Sequence, residues 1–138
     1  MTAIDTLIPI DLSNIKSRLI NKIECGEDLA EKICNEYKRF LNIHKTYPNE
    51  YIVPGHLVDE VWHDHILHTK KYQKDCMQLF GAYLHHQPSE NGNDCDIKPT
   101  LDLYLRLYGF DAPQEIWLGA TKCMNGCGGR CGGKCIRA

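Results

Sequence analysis

Apolar side chains recur every three to four residues along most of this 138-residue chain. In the segment that begins at Asp11, Ile15, Leu19 and Ile23 follow one another at intervals of four, and the next segment repeats the pattern. This spacing places the apolar side chains on one face of an α-helix. No segment shows a sustained alternation of period two, so strands are not expected. The sequence predicts an all-α domain, an orthogonal bundle of about five helices.

The predicted helices are separated by breaks in which glycine, proline and asparagine are frequent. They cover residues 11–23, 27–43, 56–67, 69–84 and 101–108. Ser13 is expected to cap the first helix and Gly109 to end the last one. Residues 1–118 are predicted to form the helical domain, and residues 119–138 a separate tail.

The tail differs from the domain in charge and in composition. It carries Lys122, Arg130, Lys134 and Arg137 without an acid, whereas the rest of the chain carries 12 of the 16 basic side chains and all 18 acidic ones. Glycine, which loses the most backbone entropy on folding, makes the tail flexible unless something binds it. The overall charge of −2 attracts neither nucleic acid nor an anionic membrane, and neither is expected as a partner.

A cytoplasmic location is expected from the absence of two sequence features. The first residues lack the basic and apolar regions of a signal peptide, and no run approaches the ~18 apolar residues of a membrane span. In the cytoplasm, the eight cysteines are expected to be thiols or metal ligands. Their even number would also permit four disulfides if the protein were exported by another route.

Five of the seven histidines fall in two short runs, "VDEVWHDHILHT" at 58–69 and "LHHQP" at 84–88. Asp59 and His63 lie one helical turn apart on the same side of the third predicted helix. The carboxylate can therefore accept a ring N–H from His63 and orient the other nitrogen outward, as in a metal ligand or a general base. The alternative is a histidine that the carboxylate holds for local stability alone.

An antiparallel return of the chain after the fourth helix would bring the second run back to the first. His85 or His86 would then lie beside His63, and three imidazoles would leave one coordination position open, as in catalytic zinc sites. Zinc and copper both suit imidazole, so the ligand types do not choose between them. The predicted metal site in the domain consists of His63, His85 and His86, with Asp59 as the orienting carboxylate.

The remaining histidines and Trp62 have simpler interpretations. His65 falls on the apolar side of its helix and is predicted to be a core residue with satisfied hydrogen bonds. His68 lies near the helix end, where a cation interacts favourably with the helix dipole. His44 is expected to cap its helix or to face solvent. Trp62 has the spacing that core packing requires.

The tail contains four cysteines at an unbroken interval, in the pattern C-x3-C-x3-C-x3-C. They are Cys123, Cys127, Cys131 and Cys135. Each interval is acceptable for zinc, and paired glycines disfavour a helix, so a flexible wrap around one Zn or Cu(I) ion is expected. Arg130 and Lys134 favour the thiolate form that binds metal. The alternative is a low-complexity tail with redox-sensitive cysteines, while Cys34 and Cys76 are predicted to be buried in the domain.

The two histidine runs and the segment that follows them have a familiar order. Residues 53–117 resemble the glycine-rich domain-containing protein family, in which a Val-Asp-x-x-Trp-His-x-His core precedes a Gly-x-x-Leu/Ile-His-His-x-Pro segment. The matching positions are Val58, Asp59, Trp62, His63, His65, Gly81, His85, His86 and Pro88. The resemblance implies a helical domain with a histidine-lined site and a glycine-rich tail, and it does not imply an enzyme.

Three functions from different classes remain open on the sequence. The first is a non-enzymatic protein that binds Zn or Cu through the histidine site, the tail thiolates or both. The second is a metal-dependent hydrolase in which Asp59 or Asp64 assists a bound water. The third is a protein-interaction module with structural histidines and a tethering tail. The expected partner is the metal ion, and another protein bound through the tail is left open.

Overall fold

The computed structural model describes residues 7–86 and 96–118, which contain six α-helices and no strand. The helices are α1 (Ser13–Ile23), α2 (Glu27–Thr46), α3 (His56–Leu67), α4 (Thr69–Phe80), α5 (Lys98–Tyr108) and α6 (Gln114–Trp117). The predicted all-α fold is confirmed. No helix within the described ranges is long and apolar enough to cross a membrane. The predicted tail, residues 119–138, lies outside them.

Helix α3 lies at the centre of the domain, where it contacts α1, α2, α4 and α6. Val58 and Val61 are fully buried in the core and Trp62 nearly so. The backbone just before α3 is tightly packed, because Gly55 lies against the backbone of Trp117 in α6. The core is thus assembled around the helix that carries the first histidine run.

The predicted start of α1 and the predicted end of α4 are wrong. At α1 the cap is not the Ser13 side chain: the Asp11 carboxylate accepts hydrogen bonds from the backbone N–H and the hydroxyl of Ser13, at 2.9 and 2.6 Å. Those hydrogen bonds lower the pKa of Asp11. Helix α4 ends at Phe80 rather than at residue 84, because Gly81 adopts a left-handed conformation with φ of 71°. The four residues after Gly81 are thereby free to turn back over α3.

The C-terminal part of the domain is tied to α2 by one buried carboxylate. Glu36 accepts hydrogen bonds from the hydroxyl of Tyr104 in α5 and from the indole N–H of Trp117 in α6, both at 2.8 Å. Arg39 also donates to Glu36. Glu36 is 4% exposed, so three elements meet at a polar group inside the core.

Candidate functional site

The two histidine runs meet, as the sequence predicts, where a short segment after α4 crosses α3. We call residues 81–86 the strap. The hydroxyl of Tyr72 in α4 donates to the carbonyl of Leu84. His86 Nε2 donates to Asp59 Oδ1 on α3, at 2.7 Å. These two bonds fasten the strap to both helices of the α3–α4 hairpin.

The His86 ring is stacked on the indole of Trp62. The ring centroids are 3.8 Å apart and the planes differ by 6°. The imidazole is 3% exposed, so stacking and the bond to Asp59 hold it in one orientation. Burial raises the pKa of Asp59, and the hydrogen bond from His86 opposes that rise. The Trp62 indole N–H is satisfied by the Tyr72 hydroxyl at 3.0 Å.

His63 was expected to be the partner of Asp59, but the Asp59 carboxylate accepts its hydrogen bond from His86 instead. The His63 ring lies farther off, with its centroid 6.1 Å from that of His86 and the planes inclined by 55°. His85 packs against Tyr83 instead, at a centroid distance of 4.8 Å. Of the four predicted residues in the domain, the structure joins Asp59 and His86 directly, brings His63 near them and turns His85 elsewhere.

All seven histidines belong to the described part of the chain. Within residues 7–86 and 96–118, no three His, Cys, Asp or Glu side chains are grouped so that they could hold a metal ion. The domain therefore offers a hydrogen-bonded pair, Asp59 and His86, in place of the expected set of ligands. Cys123, Cys127, Cys131 and Cys135 lie outside the described residues, and the tail site stays a prediction.

His65 is confirmed as a core residue with satisfied hydrogen bonds. It is 1% exposed. Its Nε2 atom donates to Asp75 at 2.8 Å, and its Nδ1 atom accepts from the Tyr37 hydroxyl at 2.6 Å. Burial lowers the pKa of His65, and Asp75 partly offsets this effect. This histidine joins α2, α3 and α4 and has no nitrogen left for a ligand.

His68 also has a structural role. Its Nδ1 atom lies 2.8 Å from the carbonyl oxygen of Asp64, in the last turn of α3. The position at the helix end matches the prediction, and the contact adds to the hydrogen bond that the same carbonyl accepts from the His68 backbone N–H, at 3.3 Å. His65 and His68 therefore account for two of the three histidines in the first run.

A cleft of about 250 Å³ opens beside the Trp62–His86 stack. It lies between the end of α2, the loop before α3 and the strap. Its lining residues are His44, Pro48, Glu50, Tyr51, Ile52, Pro54, Trp62, His85 and His86. His85 and His86 were predicted to belong to a site, whereas His44 and the loop residues were not.

His44 was predicted to cap α2 or to face solvent, and both expectations are wrong. The ring packs edge-on against Phe40, with centroids 4.7 Å apart. Its Nε2 atom is buried and has no hydrogen-bond partner among the described residues. Burial, with a smaller contribution from His86, lowers the pKa of His44 from 6.5 to about 4. The imidazole is therefore neutral at physiological pH.

One of the comparisons with known proteins gives a match. Residues 12–96, well over half of the chain, match the family described as UCP032817-like. The chain belongs to the UCP032817-like family. No curated protein and no solved structure matches it. The matched region contains the cleft histidines, Trp62 and Asp59, whereas α5 and α6 follow it. The resemblance to glycine-rich domain-containing proteins is not tested by this match and stays a prediction.

The sequence of this UCP032817-like chain contains a pattern that indicates the buried position of His44. Ile33, Tyr37, Phe40 and His44 follow one another at intervals of four, three and four, and so share the apolar face of α2. A histidine at the end of such a face points toward the core. His44 was predicted to lie late in α2, but its place on the apolar face was overlooked and a capping or solvent-exposed role was assigned to it.

Replacing His44 with phenylalanine is expected to make the domain less sensitive to acid. The folded-state pKa of His44 lies below its ordinary value, so the unfolded chain binds the proton more readily. Stability from the neutral imidazole is fully present above about pH 6.5 and is lost as the pH falls toward 4. Urea unfolding measures the free energy of unfolding at neutral pH and near pH 4. Between these two pH values it should fall by roughly 2–3 kcal/mol more in the wild type than in the variant.

His65 titrates in the same direction, but it is present in both proteins and its contribution cancels. Parallel losses of stability in the wild type and the His44→Phe protein would contradict the prediction, because they would mean that His44 is as easily protonated in the folded protein as in the unfolded one.

Proposed function

We propose that this domain is a non-enzymatic binding module whose ligand is a small organic molecule held in the cleft. The observation that carries the proposal is the buried Nε2 atom of His44, which has no hydrogen-bond partner among the described residues. Buried polar atoms in folded proteins are nearly always hydrogen-bonded. A ligand that forms a hydrogen bond with this nitrogen would satisfy it where the protein does not.

The size of the cleft limits the ligand. A dry cavity of about 150 Å³ holds one benzene molecule. The cleft, at about 250 Å³, therefore suits a single ring with a short polar substituent. Larger molecules would have to extend past its mouth.

The wall formed by His86 is fixed before any ligand arrives. The imidazole is stacked on Trp62 and bonded to Asp59. Trp62 and Asp59 are themselves buried residues of α3. A preformed wall lowers the entropy lost on binding, because no side chain there has to be ordered. Small-molecule sites in proteins are usually preformed in this way.

The alternative of a metal-dependent hydrolase has less support. It needs three protein ligands with an open position, and the described residues supply the Asp59–His86 pair. The bond from His86 Nε2 to Asp59 leaves only Nδ1 to face a metal, and the described residues contain no group of three possible ligands. A binding role leaves the hydrogen bond between His86 and Asp59 in place.

Benzyl alcohol is a suitable neutral probe, because it combines one ring with one hydroxyl. In NMR titrations of the full-length protein, we expect saturable shifts of the Trp62 indole N–H and of the His44 ring resonances. His44→Phe keeps a ring at the position but removes the nitrogen, so it should weaken binding about tenfold, as expected for a lost buried hydrogen bond. His56→Phe is the matched control, because His56 does not line the cleft.

Equal binding to both variants would show that the Nε2 atom of His44 does not hold the ligand, and would remove the observation that carries the proposal. Elemental analysis of the same reduced proteins decides the metal alternative. Zinc or copper that is retained by the wild type and lost from a His63→Ala/His86→Ala variant would place an ion in the domain and overturn the cleft proposal. Metal lost only when the four tail cysteines are exchanged for serine would assign it to Cys123, Cys127, Cys131 and Cys135 and leave the cleft proposal standing.

A further inference from the structure

We infer that the cleft selects a small organic cation, a ring that carries an ammonium group, over a neutral or anionic molecule of the same size. The inference rests on the proposed function, since it names the ligand class for the same site. Three features of the lining carry it: the charges of its side chains, the hydrogen-bonding state of His44 and an aromatic ring at the mouth.

The charged side chains around the cleft favour a positive ligand. Among the described residues that line it there is no lysine and no arginine, and Glu50 supplies a negative charge. Glu50 belongs to the exposed loop before α3. Behind the stack, any positive charge on His86 is matched by the carboxylate of Asp59, 2.7 Å away. An anion would therefore meet the carboxylate of Glu50 and neither a lysine nor an arginine among the described lining residues.

His44 supplies a neutral hydrogen-bonding group at the inner end of the cleft. Its Nε2 atom can accept a hydrogen bond from an ammonium N–H when the ring proton is on Nδ1. Because the ring stays neutral at physiological pH, it does not repel a cation. A charged donor forms a stronger hydrogen bond than a neutral hydroxyl.

Tyr51 provides an aromatic ring at the mouth of the cleft. Its side chain lines the cleft and the residue is 59% exposed. The face of a tyrosine ring attracts a cation by about 0.5–1 kcal/mol at an exposed site. Glu50 and Tyr51 are neighbours in the chain, so one short loop contributes both groups that favour a positive charge.

Three probes of matched size separate charge from shape: benzylamine, which is protonated at neutral pH, benzyl alcohol and benzoate. Titrations at neutral pH and low salt, read from the Trp62 indole N–H, should give benzylamine about tenfold tighter binding than benzyl alcohol, a difference of about 1.4 kcal/mol. Benzoate should bind more weakly than the alcohol. Added salt should reduce the preference, since exposed charges are screened.

The matched variants are Glu50→Gln and Glu24→Gln. Both remove one exposed carboxylate, but only Glu50 lines the cleft. In the Glu50→Gln protein, the affinity for benzylamine should fall close to that for benzyl alcohol. The Glu24→Gln protein should keep the wild-type preference for benzylamine.

The possible outcomes separate this inference from the function on which it rests. If benzoate or benzyl alcohol binds in the cleft as tightly as benzylamine, the charge selection is wrong and the binding role stands. If Glu50→Gln and Glu24→Gln reduce the preference equally, the lining of the cleft does not set it, and the inference fails. If none of the probes shifts the cleft resonances, the proposed function fails together with the inference.

Discussion

Replacing Glu36 with alanine is expected to lower the free energy of unfolding by about 3–5 kcal/mol, the usual cost of removing one partner from a buried charged network. The carboxylate is buried and accepts bonds from Tyr104, Trp117 and Arg39. The substitution leaves the hydroxyl and the indole N–H buried without their acceptor. It also leaves the Arg39 guanidinium without this carboxylate. Urea unfolding, followed by circular dichroism, measures the loss.

Glu31→Ala is the matched control for Glu36→Ala, because both residues lie on α2. The Glu31 side chain is 57% exposed and pairs with Lys16 at 3.1 Å. Exposed ion pairs of this kind contribute at most about 1 kcal/mol. Similar losses in the two alanine variants would show that Glu36 does not hold α5 and α6 to α2. Glu36→Gln, which keeps an acceptor oxygen, should fall between them.

Replacing Gly55 with alanine is expected to destabilise the domain by about 3 kcal/mol, at the upper end of the range for overpacking a core. A Cβ atom at this position would lie 2.6 Å from the carbonyl oxygen of Trp117 and 2.7 Å from its Cα. Both are backbone atoms, so no side-chain rotation can relieve the overlap. The backbone φ of Gly55 is −70°, which any residue adopts. The cost is therefore steric, and α6 has to move away from α3.

Gly26→Ala provides the comparison for Gly55→Ala. Gly26 precedes α2 just as Gly55 precedes α3, and a Cβ atom there meets nothing within 4 Å. Because Gly26 is the N-cap of α2, where alanine is less favourable than glycine, this exchange should cost only about 0.5–1 kcal/mol. The melting temperatures of the two variants should therefore differ by several degrees. Coinciding melting curves would rule out the tight contact between α3 and α6.

The helical fold was predictable because the apolar period is strong in α1 to α5, whereas the helix ends depended on individual residues. Gly81 was read as part of α4, although glycine readily takes the left-handed conformation that ends a helix. Pro99 was read as part of a loop, yet proline is favoured in a first turn, and α5 begins at Lys98. The four residues of α6 are too few to show a period, so its packing against α3 could not be foreseen.

The candidate site was predictable in part, because sequence spacing reveals neighbours on one helix and not partners across elements. Asp59 was assigned to His63 by the i,i+4 rule, but the strap brings His86 closer. The return of the second histidine run to the first was predicted correctly. The cleft could not be predicted, because it needs the loop around Glu50 and Tyr51 to lie opposite the strap, and no local pattern encodes that placement.

The Glu36 network has a consequence for the order in which the domain can fold during synthesis. Glu36 and Trp117 are 81 residues apart, and Tyr104 is 68 residues from Glu36. Helix α2 therefore emerges from the ribosome long before Tyr104 and Trp117, the donors that offset the cost of burying the Glu36 carboxylate. Until α5 and α6 have been made, water is the better partner for Glu36, and burial of that face of α2 is unfavourable. The nascent chain should consequently remain open on this side and close late and cooperatively, rather than helix by helix.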